Sequence, residues 1–219
     1  MCILLYMKFE QLLRLIGNLP WFDFVTVLQL SGEPRQSLRV RLYEWRKAGK
    51  LITLRRGMYT LAAPYRRVSL HPALLSNHLY TPSYLSTHWA LSFHGLIPEK
   101  TVIYTAVTSR VPRRFENDFG VYQYSNVKQV FFFGYRTVEM DGEKVLVATP
   151  EKALLDLWHL HSGDWGVDRM HAMRFQNFDV VSIERLRDDA ERFGKPRLSA
   201  AISAWQQMQV STETGTVLL

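Results

Sequence analysis

The stretch PRQSLRVRLYEWRKAGKLITLRRGMYTL, residues 34–61, decides how the first third of this 219-residue chain reads. Proline suits a first helical turn, because its fixed φ is already helical and its missing N–H has no partner there. A helix is expected from Pro34 to about Ala48, stopped by Gly49. Leu38, Leu42 and Trp45 recur at i, i+4 and i+7 and form its inner face. Past the stop, Leu51–Leu54 and Met58–Leu61 read as two short strands around Arg55-Arg56-Gly57. The glycine there tolerates the positive φ of a tight hairpin.

Upstream, Met7 to Asn18 carries Phe9, Leu12, Leu13 and Ile16 at helical spacing, and Asn18-Leu-Pro20 closes that helix. Phe22 to Leu30 reads as a second helix, with Ser31-Gly32 as its stop. Three helices followed by a basic-tipped hairpin is the order of a winged helix-turn-helix, whose second motif helix lies in the major groove of DNA. With Leu38, Leu42 and Trp45 turned inward, 3.6-residue geometry turns Arg35, Gln36, Arg39, Val40, Tyr43 and Arg46 outward, with Lys47 beside them. Arginine pairs bidentately with guanine and glutamine with adenine, and a tyrosine hydroxyl reaches phosphate. Ser37 and the amides of the helix start offer a phosphate site. Arg41 sits on the border of the two faces, and Arg55 and Arg56 suit a wing on the minor groove or backbone. Binding is therefore assigned to Arg35, Gln36, Ser37, Arg39, Val40, Tyr43, Arg46, Lys47, Arg55 and Arg56. The plain alternative is an amphipathic helix that its arginines merely solubilise. Against it, Glu44 is the sole acid between Arg35 and Arg67.

The charge distribution agrees. Residues 1–67 hold 12 Lys and Arg against 4 Asp and Glu, whereas residues 68–219 hold 15 against 16. The whole excess of the +7 chain lies in its first third, as in a polyanion-binding module beside a neutral one. The charge switch coincides with the turn-like Ala62-Ala-Pro64, so the expected domains are 1–66 and 67–219, with a frayed tail from about Val210.

The second segment mixes helices and strands. Helices are expected at His71–Leu79, Ser83–His94, from Pro150 through Trp158, at Ser182–Phe193 and at Pro196–Met208. Strands are expected at Thr101–Thr108, Gly120–Tyr124, Val130–Glu139 and Lys144–Ala148, the last two joined by an Asp141-Gly142 hairpin. The fold class is α+β: an N-terminal winged helix-turn-helix, then a mixed domain with a small sheet flanked by helices.

Several chemistries are excluded. No apolar run approaches the ~18–20 residues of a membrane helix. The first six residues lack the basic flank and cleavage site of a secretion signal, and their lack of pattern leaves Met7 as an alternative start to Met1. The single cysteine, Cys2, permits neither an intrachain disulfide nor a cysteine-based zinc site, and the chain reads as cytoplasmic. No Gly-x-Gly-x-x-Gly or Walker loop, His-Glu-x-x-His or Gly-x-Ser-x-Gly occurs. No lysine follows an acid at two residues, which argues against the common metal-dependent nuclease signature. His88 with His94, and His159 with His161, are poorly spaced for a metal, so no catalytic residue, metal or cofactor is assigned. Tyr122, Tyr124 and Phe131 to Phe133 read as core.

Pro82-Ser-Tyr-Leu-Ser86, Ala90-Leu-Ser-Phe-His94-Gly-Leu-Ile-Pro98-Glu99, Leu51-Ile-x-Leu-Arg-Arg-Gly-x-Tyr59 and Ala148-Thr-Pro-Glu151-Lys-Ala-Leu-Leu-Asp156 together resemble the AbiEi family of abortive-infection antitoxins. His88-Trp89 stands where a small residue is expected. The resemblance implies a winged helix that binds inverted repeats in its own promoter and represses it. It also implies a C-terminal domain that counteracts an AbiEii-like nucleotidyltransferase toxin, without need of a stable complex. The shared motifs read as structural: Gly95 and Pro98 shape a turn, and Pro150 with Glu151 suits a helix start. The expected function is thus a DNA-binding repressor and antitoxin, acting on double-stranded promoter DNA as a homodimer or as cooperatively loading monomers. The alternatives are a winged-helix regulator with a ligand- or partner-binding C-terminal domain, and a DNA-targeted nuclease.

Overall fold

Phe9, Leu12 and Ile16 share one face of the first helix, α1 (Phe9–Ile16), and that face is buried. The coordinates are a computed structural model describing residues 7–216, with side chains described to residue 211. Cys2 and the alternative start at Met1 therefore lie outside the described residues. The molecule is α+β and divides into two compact units, Met1–Pro72 with Phe115–Phe119, and Ala73–Arg114 with Gly120–Leu219. The break after Pro72 falls beyond the charge switch at Arg66–Arg67.

In the first unit α1 is followed by β1 (Phe22–Asp23), α2 (Phe24–Ser31), α3 (Arg35–Lys47), β2 (Leu51–Arg55) and β3 (Met58–Leu61). The expected helix from Phe22 instead opens as a strand, because Phe22 and Asp23 pair antiparallel with Tyr59 and Met58. Sheet order is β1-β3-β2. Helix α3 starts one residue after Pro34, which serves as its N-cap. Between α2 and α3 the chain reverses over three residues, with Gly32 at φ 65 in the left-handed region. Leu38, Leu42 and Trp45 bury against Phe9, Leu12, Ile16, Phe22, Phe24 and Val27, and the rings of Phe9 and Trp45 meet edge to face at 5.5 Å. Glu33 is buried, accepts the Met7 N–H and lies 3.7 Å from the Arg41 guanidinium. That contact draws Arg41 to the inner border of α3.

From Pro72 onward the chain forms α4 (Pro72–Leu79), β4 (Ser83–Leu85), α5 (Thr87–Phe93), β5 (Ile103–Thr108), β6 (Arg113–Asn117, counted in the first unit from Phe115), β7 (Gly120–Asn126), β8 (Tyr135–Met140), β9 (Glu143–Ala148), α6 (Pro150–Leu160), α7 (Val167–Ala172), α8 (Ile183–Phe193) and α9 (Pro196–Thr216). Six strands form one mixed sheet in the order β6-β7-β5-β4-β9-β8. Strand β4 pairs antiparallel with β5 and parallel with β9, which makes it central. This corrects the helix expected from Ser83: Ser83–Leu85 pair with β5 and Leu85 also with Val147 of β9, which holds them extended, and only from Thr87 does the chain turn helical. The expected strand from Val130 is likewise shorter. Gln129–Phe131 is a 3₁₀ turn and Gly134 sits at φ 72, so pairing starts at Tyr135. Asp141 and Gly142, at φ 51 and 82, make the β8–β9 turn. The tail expected to fray from Val210 stays in α9 to Thr216.

The core of this unit is built around a polar knot. Lys152 and Asp156, one turn apart on α6 and both fully buried, form an ion pair. Asp156 also accepts hydrogen bonds from the Tyr84 hydroxyl at 3.0 Å and the Ser86 hydroxyl at 2.7 Å. The Lys152 ammonium sits 5.6 Å from the Tyr84 ring centroid and 5.1 Å from those of Phe133 and Phe193. Thr149 caps α6 by accepting the Lys152 N–H, Pro150 fills the first turn, and Glu151 accepts the Ser182 N–H at 3.0 Å. Tyr122 and Tyr124 are buried on β7, with the Tyr124 hydroxyl donating to the Ser76 carbonyl at 2.6 Å. His94 bonds the Ala148 carbonyl at 2.8 Å.

Removing one member of a buried pair strands its partner's charge. Asp156→Ala is expected to cost about 3–5 kcal/mol in urea unfolding, and Lys152→Met with Asp156→Leu less than the aspartate change alone. Burial, reinforced by Lys195, Arg197, Lys152 and Lys128, pushes the His159 imidazole down to about 4. The unfolded chain then binds more protons between about pH 6.5 and 4, so stability is whole above that window and falls as pH drops through it. Urea midpoints measured across this range should decline less steeply in His159→Gln.

Candidate nucleic-acid interface

Helix α3 presents two faces because its apolar residues recur every three to four positions. Arg35, Gln36, Arg39, Val40, Tyr43, Arg46 and Lys47 are exposed, whereas Ser37 and Arg41 are half-buried. Val40 at 48% and Tyr43 at 55% exposure are large hydrophobic groups left in solvent on a helix that otherwise carries charge there. The arginines are not a loose fringe. Arg35 and Arg39, one turn apart, both lie over the ring of Phe24, at 5.2 and 5.8 Å from its centroid. Arg46 lies 5.2 Å from the ring of Tyr43. Stacking on an aromatic face limits guanidinium motion while leaving its in-plane donors free.

The β2–β3 turn brings further charge to the same place. Pairing of Thr53 with Tyr59 and of Arg55 with Met58 leaves Leu54 as a bulge, whose side chain is buried. The turn itself is Arg56-Gly57, with Gly57 at φ 80. Its carbonyl accepts the Phe24 N–H at 2.8 Å, which ties the turn to the start of α2. As a result Arg35 and Arg39 of α3 and Arg55 and Arg56 of the turn line one cleft of about 700 Å³, with Asp23, Phe24, Val25, Thr26, Gly57 and Tyr59 as its other walls. Asp23 is the only acid in it and lies 3.7 Å from Arg55.

Of the residues assigned from sequence, the structure gathers these four arginines. Gln36, Ser37 and Val40 line a separate hollow with Arg41 and Glu44. Tyr43, Arg46 and Lys47 continue along α3 toward its C-terminal end, and Ser37 caps no helix. Sequence reasoning missed Phe24 and Asp23. Asp23 is an N-cap residue type, and reading it as such would have started α2 at Phe24 and placed that ring in the first turn. Its contact with Arg35 and Arg39 is tertiary and leaves no periodic trace.

Compared with models of known protein families and with curated proteins, the chain matches none. Among the described residues, no cluster of three or more His, Cys, Asp or Glu has the arrangement to hold a metal ion, and no helix is long and apolar enough to cross a membrane. What the cleft can do follows from its own chemistry. Four guanidiniums against one carboxylate, beside exposed hydrogen-bonding and apolar side chains, suit a polyanion whose surface also carries groups to be read.

Retention on immobilised heparin measures the cationic part alone. Arg39→Ala and Arg56→Ala are each expected to elute at lower salt than the parent protein, and Asp23→Asn at higher salt, since it removes the acid that competes for Arg55.

Proposed function

We propose that the first unit is a winged helix-turn-helix that binds duplex DNA, with α3 in the major groove and the β2–β3 turn as the wing. The observation that carries this reading is the convergence of Arg35 and Arg39 from α3 with Arg55 and Arg56 from the turn on a single cleft. Order supports it as well: α2, a three-residue reversal and α3, then a hairpin tipped by two arginines. In this reading Arg35, Gln36, Arg39 and Val40 face base edges from the N-terminal half of α3. Val40 meets thymine methyl groups there. Tyr43, Arg46 and Lys47 hold one flanking backbone strand, and Arg55 and Arg56 the other. Ser37, half-buried, contributes from the margin of the base-reading face.

On the sequence resemblance, we further propose that the protein represses its own promoter through inverted repeats, loaded as a dimer or by two cooperating monomers. We propose too that it serves as the antitoxin against a nucleotidyltransferase-type toxin, and that it acts in the cytoplasm. Two half-sites one helical turn apart are the geometry that such loading requires. The resemblance motifs PSYLS and ATPEKALLD meet in the buried Tyr84–Ser86–Asp156–Lys152 knot. They hold the second unit together, so the toxin-directed surface lies elsewhere on it.

Fluorescence anisotropy with the promoter repeat tests the DNA reading. Arg39→Ala should weaken specific binding by about 1–3 kcal/mol and relax sequence preference, whereas Arg56→Ala should weaken all sequences alike and flatten the salt dependence. Equal affinity of wild type and Arg39→Ala for the repeat would sink it. Rescue of growth on co-expression with the adjacent gene product tests the antitoxin role.

A further inference from the structure

A concavity of about 1170 Å³ belongs wholly to the second unit and plays no part in the proposed duplex interface. Its floor is the outer face of the parallel pair β5–β7, where Ile103 and Thr105 lie beside Gln123 and Ser125. One wall is the segment Lys100-Thr101-Val102 leading into β5, a second is Arg113-Arg114 on β6, and a third is made by Thr87-His88 and Leu160-His161. Three permanent cations and two imidazoles line it, and no acid does. That bias is local, because residues 68–219 carry 15 basic against 16 acidic side chains.

From this geometry we infer that the groove binds single-stranded nucleic acid, with Lys100 and Arg113 on the backbone phosphates and the sheet floor facing the bases. Size and spacing favour a polymer over a small anion. The cavity exceeds the usual range of small-molecule pockets, and β6 stands two strand spacings from β5, about 9.5 Å. Cations stand on two walls of the groove, as suits a chain of phosphates running between them. Neither Lys100 nor Arg113 has an ion-pair partner among the described residues, and both are exposed, whereas Arg114 is already engaged within the chain.

The floor distinguishes nucleic acid from an acidic peptide. Gln123 and Ser125 offer neutral amide and hydroxyl groups suited to base edges. The floor strands β5 and β7 are each paired on both sides, so the floor offers no backbone edge to which a peptide strand could add. His88 and His161 meet edge to face at 5.6 Å, and His161 is fixed by a hydrogen bond from its Nδ1 to the Leu157 carbonyl at 3.0 Å. Burial and the neighbouring His161 hold the His88 imidazole below its ordinary range, so it presents a neutral ring of the kind on which bases stack. Thr87 beside it is a buried β-branched residue at φ 51, a strained conformation of the sort that persists at ligand clamps.

The test uses the full chain and fluorescein-labelled single-stranded RNA and DNA of about eight nucleotides, alongside the promoter duplex, in anisotropy titrations over salt. Lys100→Ala with Arg113→Ala should weaken single-strand binding about tenfold or more and reduce its salt slope by about 1.4, leaving duplex affinity unchanged. Arg39→Ala should do the reverse, which separates this proposal from the reading of the first unit. Gln123→Ala should lower single-strand affinity without altering the slope, and near-UV circular dichroism checks that each variant is folded. Four results would overturn the assignment: no single-strand binding at about 50 mM salt, binding indifferent to the Lys100/Arg113 change, loss of it on Arg39→Ala, or equal displacement by polyglutamate.

Discussion

The second unit depends on a lysine–aspartate pair that water never reaches. Taking two charges out of water costs several kcal/mol each, and their attraction offsets this only where every remaining donor and acceptor is matched. Here Asp156 is matched by Lys152, Tyr84 and Ser86, and the ammonium is wrapped by the rings of Tyr84, Phe133 and Phe193. Tyr84 and Ser86 flank the end of the central strand β4, and Lys152 and Asp156 belong to α6. The knot therefore fixes which helix covers which strand, a specificity that apolar packing alone supplies poorly. It also shapes the backbone nearby: a Cβ on Gly134 would come within 2.9 Å of the Lys152 side chain, so the chain passes there only as glycine.

A parallel logic governs the first unit, with aromatic rings in place of a counter-ion. Four arginines converge with one acid among them, so mutual repulsion has to be offset by packing. Phe24 does this for Arg35 and Arg39, and outside the cleft Tyr43 packs on Arg46 in the same way. Rings accept the guanidinium faces without using up their N–H donors. A salt-bridged arginine is already satisfied, whereas a stacked one keeps its hydrogen-bonding capacity for a partner outside the chain.

Much of this was legible residue by residue. The spacing of Leu38, Leu42 and Trp45 placed α3 and its outward face, Gly57 placed a turn, and Asp141-Gly142 placed the β8–β9 hairpin. The two helices expected to start at Phe22 and Ser83 were misread for one reason. Phe22–Asp23 and Ser83–Leu85 are strands too short to show a period, held extended by partners far along the chain. Strand β6 and helix α7 went unnoticed for a similar reason: one is a charged edge strand and the other a short helix, and neither carries an apolar repeat. The cation-lined groove over β5 and β7 was invisible in sequence, because Lys100, Arg113 and His161 are brought together only by strand order and by the end of α6.

By itself, then, the amino-acid sequence determined what neighbouring residues can settle among themselves: helix faces, stops and turns, and the crowding of positive charge into the first 67 positions. Periodicity and glycine conformation are local, and a short window is enough to express them. The tertiary structure decided which arginines share a cleft, which strand's hydroxyls meet the buried Lys152–Asp156 pair, and where a groove opens. Those depend on contacts between residues tens of positions apart, whose energies come from burial and pairing and leave no imprint on the spacing of side chains along the chain.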